Sequence, residues 1–303
     1  MNESADPHNA SHTVNCVLNA FLTYTTIVLN ILTLHAIRKT LSLPKPLKAL
    51  FLSLAVSDLG VGLLAQPLNI ALMIKQLQKN TEDSSFLSTG IAFETMTVIF
   101  GYSSFFTVVA ISVDRFLAIH LHLRYQELVT HRRVVSVVIL SWLLSVFLSL
   151  IGLTMRITGT DLTKLKVGIS IILGLCFIST TVIYCIIYVT VRRHTDLIQA
   201  LQIQQVAEGG EMAKVVARHT KTAVSTFYVF VVFLVCYLPD YCTSVVLMVS
   251  DSSESQFTDH LSLYTLTLMF LNSSLNPVIY CWKMKHIRQS IIAILLNIFS
   301  SRH

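Results

Sequence analysis

The clearest structural signal in the chain is VVSVVILSWLLSVFLSLIGLTM at residues 134–155, which contains no Asp, Glu, Lys or Arg. A helix of about 20 mostly apolar residues is long enough to cross a bilayer, because it rises about 1.5 Å per residue through a hydrocarbon core about 30 Å thick. We therefore predict that this stretch is a membrane-spanning helix. Arg132 and Arg133 precede it and Arg156 follows it, so charged residues flank both of its ends.

Six further stretches have a similar length and composition. In chain order, the seven predicted spans are residues 16–37, 47–74, 86–119, 134–155, 167–191, 222–249 and 260–282. The whole chain agrees with this interpretation, since only 13% of its 303 residues are charged, against about 25% in soluble domains. The sequence thus predicts an all-α membrane protein, a seven-transmembrane helix bundle in a lipid bilayer.

The basic residues predict the orientation, because Lys and Arg near the ends of spans stay on the cytoplasmic side. With the N-terminus outside, 17 of the 22 Lys and Arg residues fall in cytoplasmic segments. Asn2 and Asn9 begin glycosylation triplets, which fit an outer N-terminus. We expect residues 1–15 to be extracellular, residues 16–282 to form the seven-span domain, and residues 283–303 to form an amphipathic cytoplasmic helix with a short tail.

Several classes of protein are excluded by composition. The net charge of +6 comes without a basic cluster interleaved with aromatic residues, so we expect no nucleic-acid partner. The six cysteines form no CxxC pair, which argues against a disulfide scaffold and a structural zinc site. Scattered histidines lack the spacing of an intramembrane metal site, so we expect neither an enzyme nor a covalent cofactor. A transporter or channel is an alternative, although no inverted repeat is visible.

Four polar residues are predicted to meet at one depth in the bundle. A charge at mid-membrane is costly, so Asp58 must face the bundle interior or water. Ser104 lies about 16 Å along span three from Arg115, near the depth of Asp58. Asn272 and Asn276 are one turn apart on the last span. These four residues can form an all-oxygen cation site, and the alternative is a water-filled polar cluster that only joins helices.

Six short motifs, each in its expected span, resemble the rhodopsin-like G-protein-coupled receptors. They are Asn30, Leu54-Ala55-Val56-Ser57-Asp58, Asp114-Arg115-Phe116, Trp142, Cys236-Tyr237-Leu238-Pro239 and Asn276-Pro277-Val278-Ile279-Tyr280. The resemblance covers residues 15–299. It implies a multi-pass plasma-membrane receptor that converts binding of an extracellular ligand into activation of a heterotrimeric G protein, and receptors of this kind hold an allosteric sodium ion at the residues that match the Asp58 cluster. A decoy receptor that does not couple is a further alternative.

The same resemblance implies an activation switch. Its residues are Asp114, Arg115, Tyr184, Tyr237, Pro239, Asn276, Pro277 and Tyr280. Asp114 holds Arg115 until activation releases it, and the two prolines each remove a helix hydrogen bond and permit a kink. His219 stands where many family members carry an acid that clamps this arginine. We therefore expect a weak lock at the inner end of the bundle and measurable basal activity.

Departures from the family pattern narrow the class of receptor and ligand. Gly90 stands where most members have a cysteine, and the loop 156–166 has no cysteine, so the usual outer disulfide cannot form. Whether Cys16 or Cys242 forms a different disulfide is left open. These departures resemble melanocortin, cannabinoid and lysophospholipid receptors, whereas the inner loop 121–133 resembles adenosine receptors. Phe270 replaces the lysine that binds retinal in opsins, so retinal is not expected.

Two acids in the outer halves of spans three and six indicate the ligand site. Glu94 and Asp240 are costly at these positions unless they face a shared wet cavity, where they would bind a cationic peptide or small molecule of unknown identity. The candidate lining residues are Gln66, Thr97, Tyr237, Tyr241 and Phe270. Alternatively, Glu94 lies at headgroup level and Asp240 bonds a neighbouring hydroxyl.

Overall fold

The computed structural model describes residues 7–40, 43–80, 82–121, 124–159, 163–202, 211–249 and 256–300. For residues 7–8, 163, 194–202, 211–221, 249, 256–257 and 298–300 the description covers the backbone only. Asn2 lies outside the described residues, and Asn9 is exposed on the first helix.

The described chain is all helix and turns. The helices are α1 (Pro7–Lys39), α2 (Lys45–Gly60), α3 (Gln66–Leu77), α4 (Ser84–His120), α5 (Tyr125–Leu128), α6 (His131–Thr158), α7 (Thr163–Gln202), α8 (Glu211–Val249), α9 (Gln256–Lys283) and α10 (Lys285–Ser300). This result confirms the all-α fold class. The first helix begins well before the predicted start of span one.

Six stretches of the described chain are long and apolar enough to cross a membrane. They are Asn9–Lys39, Lys45–Leu77, Ser84–His120, His131–Thr158, Lys164–Arg193 and Thr222–Met248, which correspond to predicted spans one to six. Helix α9 contains the predicted seventh span, but its polar residues at 272–274 and 276 lower its hydropathy. The seventh span and the interfacial helix α10 therefore stay predictions.

The helices pack around α4, which contacts α2, α3, α6, α7 and α8, while α9 lies between α1 and α8. Large apolar side chains face away from the bundle, among them Leu140, Leu143 and Phe147. Such outward apolar surface is what a bilayer requires of a spanning helix. We call the end that carries Arg115 the inner end and the opposite end the outer end.

A π-helical turn interrupts the second span, and sequence analysis did not foresee it. The turn covers Val61–Ala65 and separates α2 from α3. Pro67 follows it in the first turn of α3. A proline has no N–H to continue the helical ladder, and π-turns commonly occur at such interruptions near functional residues. The turn lies between Asp58 and the outer half of the span.

Hydrogen bonds from Lys75 join the outer ends of α3 and α4. Its Nζ donates to Ser85 Oγ at 2.9 Å and to Thr89 Oγ1 at 3.1 Å. The side chain of Asp83 caps α4 by accepting from the backbone N–H of Ser85. All six cysteines are described and none of them forms a disulfide. The outer end of α4 is held against α3 by the hydrogen bonds of Lys75 instead.

Candidate functional site

A cavity of about 360 Å³ opens between the outer halves of α4, α6, α7 and α8. Five of the seven predicted ligand-site residues line it, namely Glu94, Thr97, Tyr237, Asp240 and Tyr241. The structure places the other two elsewhere. Gln66 is fully buried in α3, and Phe270 is fully buried in α9, where its ring meets that of Phe93 edge-on at 6.4 Å. The prediction that Gln66 and Phe270 line the same cavity is therefore not supported by its lining.

The two acids of the cavity differ in their surroundings. Glu94 is 52% exposed and its Oε2 lies 3.9 Å from Nε of Arg156, an exposed pair of the kind that contributes little to stability. Asp240 forms no ion pair with any residue of the described chain. Lys166 lines the same cavity from α7. The cavity therefore offers one uncompensated carboxylate in α8 and one ammonium group nearer the mouth.

Aromatic rings form the floor of the cavity. Tyr237 stacks on Phe233 with ring centroids 4.1 Å apart, and Phe177 contacts Phe105 at 4.8 Å. Tyr241 donates to the carbonyl oxygen of Ser170 at 2.6 Å and so joins α8 to α7. Phe233 of α8 also contacts Phe105 of α4, with ring centroids 6.0 Å apart. A movement of α8 at the cavity must therefore displace side chains of α4 and α7.

The four polar residues predicted at mid-bundle are all buried, and the contacts among them centre on Asp58. Its Oδ2 accepts from Nδ2 of Asn276 at 2.9 Å, and Ser104 donates to Oγ of the adjacent Ser57 at 2.8 Å. Asn272 lies in the same buried region of α9, with neither amide atom hydrogen-bonded in the described structure. Sequence analysis missed Ser57, whose position next to Asp58 was the available signal.

Unpaired oxygen atoms show that this cluster suits a small cation. Asp58 Oδ1, Asn272 Oδ1, Asn276 Oδ1 and Ser273 Oγ are all buried without a hydrogen-bond partner among the described residues. A buried polar group without a partner is costly, and carboxylate, amide and hydroxyl oxygens are ligands of hard cations. The residues present therefore fit a sodium ion, and they also fit ordered water.

At the inner end of α4, a buried network holds Arg115. Its side chain is 1% exposed and pairs through Nε and Nη2 with Oδ2 of Asp114, which is 4% exposed. Tyr125 of α5 donates from its hydroxyl to Asp114 Oδ1 at 2.8 Å. Burial and the Asp114 charge raise the pKa of the Tyr125 phenol above its ordinary value, so the phenol keeps its proton and remains a donor.

Two further switch residues are buried nearby. Tyr184 stacks on Phe230 at 4.5 Å, and Tyr280 packs against Phe51 at 5.1 Å. Each hydroxyl lacks a hydrogen-bond partner in the described chain, and no direct bond joins the two. Pro239 and Pro277 lie inside α8 and α9. His219 lies in α8, but its side chain is outside the description, so its predicted role stays a prediction.

Comparison with known proteins identifies the family that carries these features. The model of the family described as 7 transmembrane receptor (rhodopsin family) matches residues 29–280. The chain belongs to this family. Its members are receptors rather than enzymes, and membership indicates G-protein-coupled signal transduction through membrane-spanning helices.

Similar receptors come from two of the four groups that the sequence resembles, the adenosine and the melanocortin receptors. The receptor is 24% identical to adenosine receptor A2b of Gallus gallus, over 96% of this chain and 90% of that one. It is 26% identical to adenosine receptor A3 of Ovis aries, over 89% and 85% of the two chains. It is also 26% identical to melanocortin receptor 4 of Danio rerio, over 86% and 77%. The resemblances to cannabinoid and lysophospholipid receptors stay predictions.

The receptor also has a polar seam between α1 and α9 that sequence analysis missed. Asn19 donates from Nδ2 to Asn15 Oδ1 at 2.7 Å and to Thr267 Oγ1 at 2.9 Å. Closer to mid-membrane, Asn30 donates to the carbonyl oxygen of Ser273 at 2.9 Å. The four-residue step from Asn15 to Asn19 was the available signal, since residues i and i+4 share a helix face.

Proposed function

We propose that this receptor lies in the plasma membrane with its N-terminus outside, and that a cationic extracellular ligand bound at Asp240 leads to activation of a heterotrimeric G protein at the inner end. One observation carries this proposal. Asp240, the uncompensated carboxylate, lies in α8 at the outer end of the bundle. The buried Asp114–Arg115 pair lies in α4 at the inner end. Because α4 packs against α8 and also carries the cavity residue Thr97, these two helices connect the cavity to the buried pair.

Activation is a shift between two populations. A ligand favours the open inner end only to the extent that it binds that state more tightly than the closed one. A cation at Asp240 contacts α8 beside Pro239, where the helix lacks one backbone hydrogen bond and can bend. The stacking of Tyr237 on Phe233 then transmits a shift of α8 toward the inner end. Release of Arg115 exposes the surface that a G protein binds.

Sodium is proposed as an allosteric ligand of the closed state. The ion would be held by Asp58 together with Ser104, Asn272 and Asn276, and it would supply a positive charge that compensates the buried carboxylate. Asp58 and Asn276 belong to different helices, α2 and α9. Holding both side chains on one centre opposes relative movement of those helices.

The proposed topology has α9 as the seventh span and α10 as a helix in the cytoplasmic interface. Ile287 and Ile294 of α10 are buried against the bundle, while Leu296 is exposed. Lys285 and Arg288 are exposed on the same helix, as in helices that lie in a headgroup region. The proposed domain limits are those given by the sequence, with residues 1–15 outside and 283–303 in the cytoplasm.

Coupling is tested first without a ligand. We expect cells that express the wild-type receptor to show a cyclic AMP or calcium signal above that of empty cells, and we expect Arg115→Ala to abolish it at equal surface expression. Arg193→Ala, which removes an exposed arginine at the inner end of α7, serves as the matched control and should retain the signal. A signal that persists in Arg115→Ala would contradict the proposed switch, and ion flux without any such signal would favour the transporter or channel.

The ligand class is tested with a panel of amines, guanidines and arginine-containing peptides. We expect compounds active on the wild-type receptor to lose about tenfold or more in potency on Asp240→Asn. The reason is that a hydrogen bond between the ligand and a charged carboxylate contributes about 1.5–3 kcal/mol. Glu94→Gln should have a smaller effect because that carboxylate is half exposed. Asp259→Asn removes an exposed acid of α9 and should leave potency unchanged. Equal potency on wild type and Asp240→Asn would exclude the cationic-ligand proposal.

A further inference from the structure

A second large cavity lies on the outside of the bundle, at the inner end. It has a volume of about 460 Å³ and runs between α4 and α6, with Leu128 of α5 and Val129 at one end. A water molecule takes up about 30 Å³ in the liquid, so this space is far larger than a hydration site. We call it the α4–α6 groove. It shares no lining residue with the ligand cavity of the outer half.

The walls of the groove are apolar and open toward the lipid. Val113, Val137 and Leu140 line it, and each exposes at least two fifths of its surface. Ala110 contributes only a methyl group to the α4 wall, which leaves a recess where a larger residue would fill the space. In the orientation proposed above, these apolar side chains face the hydrocarbon of the bilayer.

Basic side chains surround the inner end of the groove. Arg133 lines it and is exposed, and its Nη1 donates to the carbonyl oxygens of Leu128 at 2.9 Å and of Glu127 at 3.4 Å. The structure gives Nε and Nη2 of Arg133 no partner among the described residues. Arg124 and Arg132 are exposed at the same end, where Glu127 is an exposed acid, while the carboxylate of Asp114 in the groove wall is buried and paired with Arg115. This charge balance favours an anionic group at the mouth of the groove.

We propose that the α4–α6 groove binds one acyl chain of an anionic phospholipid of the cytoplasmic leaflet, with the lipid phosphate held by Arg133. The proposal rests on the membrane orientation proposed above. It does not depend on which extracellular ligand the receptor binds or on whether the receptor couples to a G protein. The groove wall includes Asp114, so the bound chain lies against the helix turn that carries the Asp114–Arg115 pair. Leu128 and Val129 connect the same lipid to α5, whose Tyr125 bonds Asp114.

The test measures lipid binding directly. Purified receptor in detergent is mixed with equal concentrations of dioleoyl-phosphatidylglycerol and dioleoyl-phosphatidylcholine, and bound lipid is counted by native mass spectrometry. We expect one phosphatidylglycerol to bind with about fivefold preference, the factor that corresponds to about 1 kcal/mol per basic residue. Arg133→Gln should remove this preference, whereas Arg133→Lys, which keeps the charge, should retain most of it.

Matched variants separate the groove from general surface effects. Ala110→Phe fills the recess and should lower binding of the first lipid at least fivefold, whereas Ser179→Phe adds the same ring to an exposed face of α7 and should not. Arg132→Gln removes a neighbouring exposed charge outside the lining and should keep at least half of the preference. Thermal unfolding of each variant confirms that it is folded.

Three results would overturn the proposal. They are equal binding of both lipids to the wild-type receptor, unchanged binding in Ala110→Phe, and an equal loss of preference in Arg132→Gln and Arg133→Gln. Because the measurement needs no signalling, an absent G-protein response would count against the proposed function alone. A lost lipid preference with intact signalling would count against the groove alone.

Discussion

Replacing Asp114 by Asn is expected to raise ligand-independent signalling about tenfold or more. Arg115 is buried and its ion pair is with Asp114. Removing one partner of a buried ion pair typically costs about 3–5 kcal/mol, because the other charge stays buried without compensation. The closed state bears this cost, so the population moves toward the state in which Arg115 is released. The measurement is basal second messenger at equal surface expression.

Tyr125→Phe is the graded comparison for this prediction. It removes the hydrogen bond to Asp114 Oδ1 but leaves the carboxylate and its pairing with Arg115. One hydrogen bond contributes about 1 kcal/mol, so we expect a rise of about fivefold. The double variant Asp114→Asn/Arg115→Ala should be silent, since it lacks the released arginine. Basal signalling of Asp114→Asn at or below the wild-type level would show that this pair does not restrain the receptor.

Sodium is expected to stabilise the purified wild-type receptor relative to an equal concentration of potassium, and Asp58→Asn is expected to abolish the difference. A ligand at a hundred times its Kd stabilises the folded state by about 2.7 kcal/mol, which corresponds to several degrees in Tm for a chain of this size. Asp58 supplies the only carboxylate of the cluster formed with Ser104, Asn272 and Asn276. The measurement is thermal unfolding in matched NaCl and KCl buffers.

The control for sodium is an acid outside the cluster. Asp83→Asn changes an exposed residue of the first outer loop, and Asn caps helices about as well as Asp, so its sodium response should equal that of the wild type. Ser104→Ala should reduce the response without abolishing it. A full sodium response in Asp58→Asn would leave the cluster as a hydrated polar contact between helices.

Sequence is most informative where a physical cost forces a residue into the interior. A carboxylate at mid-membrane has few acceptable environments, so Asp58 could be placed in the interior, and the structure puts it against Asn276. Glu94 and Asp240 line one cavity, although Glu94 is half exposed beside Arg156. Long apolar runs similarly predicted six spans, five of which end within a few residues of the apolar stretches observed, while the first begins earlier than predicted.

The rotation of each helix was harder to predict. An apolar residue inside a spanning helix can face a cavity, a neighbouring helix or lipid, and the sequence does not distinguish these for Phe270, whose ring packs on Phe93. The role of Tyr125 depends on how a short inner helix folds back on α4, and nothing local in its sequence encodes that contact. The π-turn at Val61–Ala65 precedes Pro67, but a proline alone does not specify this kind of interruption.

The polar seam between α1 and α9 constrains how the receptor is made. Helix α1 is synthesised well before α9, so until α9 is made Asn19 and Asn30 lie in the membrane without Thr267 and the Ser273 carbonyl. Unsatisfied amides in hydrocarbon are costly and recruit other partners. A chain that stops before α9 therefore exposes a row of asparagines to the bilayer. An unfinished chain thus presents to the lipid polar groups that the complete bundle hides.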